Sequence, residues 1–138
     1  KKYSKTLIKN IKIANYNWHK KHINSIQSAY GSSPFFIHYF DAIKNIINKK
    51  HTFLIDLNTD IMSYFTQELN ITTQVQNTDQ YIKEYPAIIL DKRKSLELEY
   101  HLPEYHQVFN EKFKANMSII DLIFNLGPNA KEYIYISS

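Results

Sequence analysis

Residues 33–49 read SPFFIHYFDAIKNIINK, and this stretch indicates the fold class more clearly than any other part of the chain. Ser33-Pro34 is typical of a helix start, because proline fits the first turn, where its missing N–H is not needed. The apolar side chains that follow recur at three- and four-residue spacing: Phe36, Tyr39, Phe40, Ile43, Ile46 and Ile47. This stripe predicts an amphipathic helix that continues to Lys49 and buries one face.

Similar periodic patterns lie on both sides of this helix. They predict further helices over residues 18–30, about 52–69, 118–126 and 128 to about 134. In the first of these, Trp18, His22 and Ile26 lie on one face. In the helix over 118–126, Ser118 takes the cap position and Asp121 the third helical position, which is a variant of the capping box.

Short segments with the alternation or apolar character of β-strands separate these helices. Residues 8–15 and 71–75 alternate, and residues 87–90 form a short apolar run. Helical patterns that are flanked by such segments, without regular strand–helix–strand alternation, are typical of the α+β class. We therefore predict an α+β fold with a helix-dominated body of about five helices and a few short strands.

Length and composition limit the classes of protein to consider. The chain has 138 residues, 43% of them hydrophobic, so we expect a single domain over residues 1–138 with a substantial core. Cysteine is absent, which excludes disulfides, thiolate zinc sites and cysteine nucleophiles. No targeting segment is recognised and no apolar run is long enough to span a bilayer, so we expect a cytoplasmic protein without a membrane span.

The motifs for cofactors and nucleic acids are also missing. Two glycines cannot build a phosphate-cradling loop of the Walker or dinucleotide type, and we expect no cofactor. The net charge of +4 is spread over several helix ends. Lys20-Lys21 and Lys49-Lys50-His51 flank helices, where a solvated position suffices to explain their charge. We therefore expect no nucleic-acid partner.

Two histidines lie three positions apart on the helix over residues 18–30. His19 and His22 could share a metal ion in principle, but no further ligand lies near them in sequence, so we expect no metal site. The helical phase places His22 beside Trp18 and Ile26, withdrawn from water, while His19 faces solvent. A buried neutral imidazole can accept a proton, which makes His22 the candidate general base.

A family resemblance enters at the C-terminal end of the chain. Residues 105–109 read YHQVF, Phe113 follows, and residues 116–128 read NMSIIDLIFNLGP. This order closely resembles the C-terminal signature of the WbqC-like protein family, Tyr-x-Gln-Val-Phe, then Phe, then Asn-Leu-Ser-Ile-Leu-Asp-Leu-Leu-Phe-Asn-x-Gly-Pro. The block of Trp18, His22, Ile26 and Tyr30 is similar to the family as well. The family's N-terminal portion is not matched, so we expect the chain to lack that segment.

The resemblance implies a role in the biosynthesis of bacterial O-antigen or other surface polysaccharides. It implies a small-molecule substrate, such as a nucleotide-activated sugar, and a group-transfer enzyme that acts on an amino-sugar intermediate. In that hypothesis His22 is the catalytic base, and the substrate-binding residues are Tyr105, Gln107, Asn116 and Asp121.

A non-catalytic binding or scaffold protein of the same pathway is the alternative hypothesis. In that case the same polar side chains are structural. A deep cavity that holds His22 together with Gln107 would favour the enzyme, whereas dispersal of these residues would favour the scaffold.

Overall fold

The structure is a computed structural model that describes residues 6–14, 16–77, 103–108 and 111–136. Five α-helices lie within these ranges, which confirms the predicted helices. They are α1 (Trp18–Tyr30), α2 (Phe36–Asn48), α3 (Leu54–Glu68), α4 (Ile119–Leu126) and α5 (Ala130–Ile136). Short 3₁₀ turns occupy Ile8–Asn10 and Gly127–Asn129.

The predicted α+β class is wrong, because the described residues form helices and no strand. Residues 8–10 are a 3₁₀ turn, and the segment that follows makes a single antiparallel bridge between Lys12 and Phe53. Residues 71–77 have no regular secondary structure and pair with no other described segment, and the Ile71 N–H closes the end of α3 by donating to the Thr66 carbonyl oxygen. Alternation favours an extended segment, but a strand forms only where a second one pairs with it. The segment proposed at 87–90 lies outside the described residues.

Helix α2 is the centre of the core and contacts α1, α3 and α4. Its predicted face is buried through Phe36, Phe40, Ile43 and Ile47. The Phe36 and Phe40 rings stack with centroids 4.3 Å apart, and Phe124 of α4, which is fully buried, packs on Phe36 at 5.2 Å. Burial of each such side chain contributes about 1.5–3 kcal/mol to folding, so tertiary packing rather than helix propensity holds this region together.

The turn before α2 is shaped by α4 and not by a serine cap. The Ser33 hydroxyl is buried and makes no hydrogen bond with another described residue, and the helix starts later than predicted, at Phe36. The Phe35 N–H donates to the Phe124 carbonyl oxygen at 3.0 Å, which ties this turn to α4. The Phe35 ring also occupies the place where a Cβ on residue 127 would lie, and Gly127 has a φ of +55°. Glycine is therefore required at 127 by both space and backbone conformation.

Helix α1 is rotated relative to the prediction. Ile23 is the residue of α1 that is buried, whereas His22 is exposed and His19 is half-buried. The predicted burial of His22 is therefore wrong. Trp18 is the first residue of the helix and is itself only partly buried, so the centre of the apolar face lies one position beyond the face predicted from Trp18.

Candidate functional site

A buried carboxylate lies at the start of α4. The Ser118 hydroxyl caps this helix as predicted, accepting from the Ile120 N–H at 3.3 Å. The cap places Asp121 in the first turn, and Asp121 has no exposed surface although its neighbours in the helix are apolar. A buried carboxylate is costly unless hydrogen-bond donors surround it. Its partners therefore define a constrained site.

Two of these partners come from the segment over residues 103–108. The Tyr105 hydroxyl donates to Asp121 Oδ2 at 2.5 Å, and Gln107 Nε2 donates to the same oxygen at 2.9 Å. The Gln107 amide also donates to the Lys114 carbonyl oxygen at 3.0 Å and accepts from the Lys114 N–H at 2.9 Å. The polar atoms of Gln107 are thus used within the protein, and its residue surface is 3% exposed.

Two further residues complete what we call the carboxylate network, which consists of Tyr30, Tyr105, Gln107, Asp121 and Asn125. Asn125 Nδ2 donates to the backbone oxygen of Asp121 at 2.8 Å and to its Oδ1 at 3.2 Å. Burial, together with the charge of Asp121 and a hydrogen bond to it, raises the pKa of Tyr30 to about 12. Burial and the hydrogen bond to Asp121 also raise the pKa of Tyr105. The network thus keeps both phenols protonated around one carboxylate.

Asn116 lies outside this network. It is exposed and has a φ of +59°, a left-handed conformation that asparagine tolerates better than most residues. It shares a cavity of about 230 Å³ with Tyr105, Phe113 and Tyr133. The structure therefore brings Tyr105, Gln107 and Asp121 into direct contact. Asn116 is not part of this contact and lines a cavity together with Tyr105.

His22 also lies apart from the carboxylate network. Its Nδ1 is 2.9 Å from the Trp18 carbonyl oxygen, and its ring lies against the Trp18 indole with centroids 5.3 Å apart. A cavity of about 340 Å³ near His22 is lined also by Lys12, Trp18 and Leu57. Gln107 lines a different cavity, formed by residues 104–107 together with Glu111 and Phe113.

A larger groove lies between the N-terminal segment and the end of α2, and we call it the basic groove. It encloses about 680 Å³ and is lined by residues 12–14, 16–19 and 47–52. It adjoins the His22 cavity, since both share Lys12, Tyr16 and Trp18. Among the described residues, three lysines line it, Lys12, Lys49 and Lys50, and no acidic side chain does.

Sequence reasoning missed the basic groove because its two walls, one formed by residues 12–14 and 16–19 and the other by residues 47–52, are far apart in the chain. The run Lys49-Lys50-His51 was interpreted as a solvated helix end. No local signal in the sequence distinguishes His51 from these solvated lysines. Its side chain is only 4% exposed.

The described part of the chain holds no group of three or more His, Cys, Asp or Glu side chains arranged to bind a metal ion. None of its helices has both the length and the apolar character needed to cross a membrane.

Comparison with known proteins assigns the family. The family model of the WbqC-like proteins matches residues 1–96 and 92–133, which together cover most of the chain. This protein therefore belongs to the WbqC-like protein family. No match is found among curated proteins or among solved structures.

Proposed function

We propose that this protein binds a nucleotide-activated sugar in the basic groove and transfers a group onto an amino-sugar intermediate in the biosynthesis of bacterial surface polysaccharides. The pathway is what the resemblance to the family implies. The composition of the groove is the observation that supports the ligand class. It combines lysines with aromatic side chains in a volume of about 680 Å³, which is within the usual range for small-molecule sites.

The groove has separate features for the two halves of such a ligand. Lys49 is paired with Asp60, but neither Lys12 nor Lys50 has a carboxylate partner among the described residues, so both ammonium groups can face a diphosphate. Tyr16 and Trp18 supply aromatic faces for a sugar or a base. A nucleotide-activated sugar carries both kinds of group in one molecule.

His22 keeps its proposed role as the base, now from the cavity that adjoins the groove. A carbonyl oxygen can only accept a hydrogen bond, so the contact with Trp18 places the proton on Nδ1 of His22. The Nε2 lone pair is then available to accept a proton from an acceptor group of the substrate.

The carboxylate network serves this proposal by positioning rather than by direct contact. The side chains of Gln107 and Asp121 are buried and hydrogen-bonded within the protein, so they hold Tyr105 in place. Tyr105 and Asn116 line the cavity of about 230 Å³ and are the two members of the predicted site that can meet a ligand there.

A non-catalytic binding protein is the second candidate function, and one observation favours it. His22 and Gln107, which a joint active site would bring together, line different cavities. Binding without turnover would then be the whole activity of this chain.

Binding can be tested with the fluorescence of Trp18, because it is the single tryptophan of the chain and lines the groove. Titration with UDP-N-acetylglucosamine should change its emission, and Lys12→Ala and Lys50→Ala should each weaken binding about fivefold to tenfold. Lys44→Ala is the control, since Lys44 lies over the Phe40 ring of α2 and away from the groove. An emission that no nucleotide sugar changes would contradict the proposal.

Turnover is tested separately by mass spectrometry of mixtures that contain a nucleotide sugar and an acyl donor. His22→Gln should abolish product formation and leave binding in place, whereas His38→Gln, on the exposed side of α2, should change neither. If the unmodified chain binds the sugar nucleotide and forms no product, the non-catalytic function is supported instead.

A further inference from the structure

A histidine and an aspartate form a second polar cluster beside the basic groove. His51 lies in the short connection between α2 and α3, and Asp60 lies on α3. His51 Nε2 is 2.8 Å from Asp60 Oδ2, and the Lys49 ammonium donates to the same oxygen at 2.5 Å. Hydrogen bonds from Lys49 and then from His51 lower the pKa of Asp60, so its carboxylate is ionised at neutral pH.

This contact decides which ring nitrogen of His51 carries the proton. An ionised carboxylate can only accept hydrogen bonds, so the proton of the neutral imidazole lies on Nε2 and points at Asp60. The other ring nitrogen, Nδ1, is then left with a lone pair and acts as an acceptor.

The Nδ1 atom of His51 is buried and has no hydrogen-bond partner among the residues that the structure describes. The side chain as a whole is 4% exposed, and the residue lines the basic groove together with Trp18 and His19. Buried polar atoms without a partner are rare in folded proteins, because the lost hydration is not replaced. Beside a cavity, the donor group of a bound ligand is one partner that such an atom can take.

We propose that His51 Nδ1 is the hydrogen-bond acceptor for a hydroxyl or amide N–H of the sugar bound in the basic groove, and that Asp60 holds His51 in the tautomer that this contact requires. The inference rests on the proposed function, since it places the sugar of the nucleotide-activated ligand at the His51 end of the groove. His51 is a binding residue in this scheme, and Asp60 is a positioning residue that acts through it.

The position of the donor on the ligand gives the groove a way to select its substrate. The lysines recognise a diphosphate whatever it is attached to, whereas an acceptor such as Nδ1 recognises only the sugar part. The two parts can therefore be separated with two probes. Uridine diphosphate has the ribose but lacks the activated sugar, whereas UDP-N-acetylglucosamine also carries the hydroxyls and the amide N–H of its N-acetylglucosamine.

The first test is ¹⁵N NMR of the histidine rings in the full chain. In the free protein His51 should show a protonated Nε2 and an unprotonated Nδ1. The Nδ1 resonance should shift on addition of UDP-N-acetylglucosamine and stay in place on addition of uridine diphosphate. A protonated Nδ1 in the free protein, or an Nδ1 resonance that the bound sugar nucleotide leaves unchanged, overturns the proposal.

The second test uses variants and keeps this proposal distinct from the proposed function. Asp60→Asn also frees the Lys49 ammonium, which acts on the diphosphate of both probes alike, so the expected result is a loss of about tenfold in binding of UDP-N-acetylglucosamine relative to uridine diphosphate, the usual effect of one lost hydrogen bond. Asp56→Asn, an exposed change on the same helix, is the matched control. His51→Gln, whose amide keeps an acceptor, should bind the sugar nucleotide better than His51→Phe.

The Trp18 emission distinguishes failure of this proposal from failure of the proposed function. If Trp18 reports equal binding of both probes and Asp60→Asn changes the binding of both by the same factor, the basic groove binds nucleotides and the role of His51 is wrong. If neither probe changes Trp18 or His51, both the proposed function and this inference are refuted.

Discussion

Replacement of Tyr105 by Phe removes one hydroxyl from the carboxylate network and leaves the ring in place. The lost contact is the 2.5 Å hydrogen bond to Asp121, and hydrogen bonds to charged groups contribute about 1.5–3 kcal/mol. Asp121 Oδ2 keeps its hydrogen bond from Gln107 at 2.9 Å, so the carboxylate is not left without a donor. We therefore expect the free energy of unfolding to fall by about 2 kcal/mol.

Urea unfolding followed by circular dichroism measures this loss, with an unchanged m-value as the sign that the denatured state is unaffected. For a chain of 138 residues the same loss lowers Tm by about 6 °C. Tyr16→Phe is the matched control, since Tyr16 is 66% exposed, and it should change the free energy of unfolding by less than about 0.5 kcal/mol.

A double-mutant cycle shows whether the loss comes from Asp121. In the Asp121→Asn background the charge that strengthens the contact is gone, so Tyr105→Phe should cost at least about 1 kcal/mol less than in the unmodified chain. A loss for Tyr105→Phe no larger than that for Tyr16→Phe, or an equal loss in both backgrounds, would refute the reasoning that the carboxylate network stabilises the fold.

Four further predictions concern the core, the turn after α4 and the pH dependence of stability. Ile23→Ala should lower the free energy of unfolding by about 2–4 kcal/mol in urea, and His22→Ala by less than about 0.5 kcal/mol, because Ile23 is buried and His22 is exposed. Gly127→Ala should cost at least about 2 kcal/mol in the same assay, since the new methyl group meets a phenyl ring at a positive φ. The pKa of Tyr30 is about 12 in the folded chain, against a usual value of 10.0. Between these pH values the folded state holds a proton that the unfolded state has lost, so the urea midpoint of unfolding should fall as the pH rises from 10.0 to about 12. The pKa of Asp60 is lowered from its usual value of 3.8, so the effect of pH has the opposite direction: the ionised Asp60 stabilises the fold above pH 3.8, and this stability should be lost as the pH falls below that value. In Asp60→Asn the free energy of unfolding should therefore depend less on pH in an acid titration.

Much of the helical architecture could be predicted from local patterns. The apolar stripe of α2 has the period of a helix, and the same side chains are buried in the structure. Ser118 caps α4 as its position suggested, because a cap is made by residues two or three positions apart. The strands could not be judged in this way, since an alternating segment such as 71–75 becomes a strand only when a distant segment pairs with it.

The candidate site was also predicted only in part. The C-terminal motif singled out Tyr105, Gln107 and Asp121, and they do contact one another. The prediction that His22 is buried assumed that Trp18 lies at the centre of the apolar face of α1. The packing of α1 against α2 buries Ile23 instead. One residue of rotation moves a side chain by about 100° around a helix, which is enough to exchange a buried position for an exposed one.

Spacing within short stretches of chain is enough to locate the helices and to identify the polar side chains of the family motif. The folded arrangement is needed to see that the described part of the protein is built from helices alone, that Asp121 is surrounded by donors, and that Lys12 and His51 line one groove. These features depend on contacts between residues that are far apart in the chain. Such contacts form when apolar faces are buried together, and local periodicity carries no information about which distant faces meet.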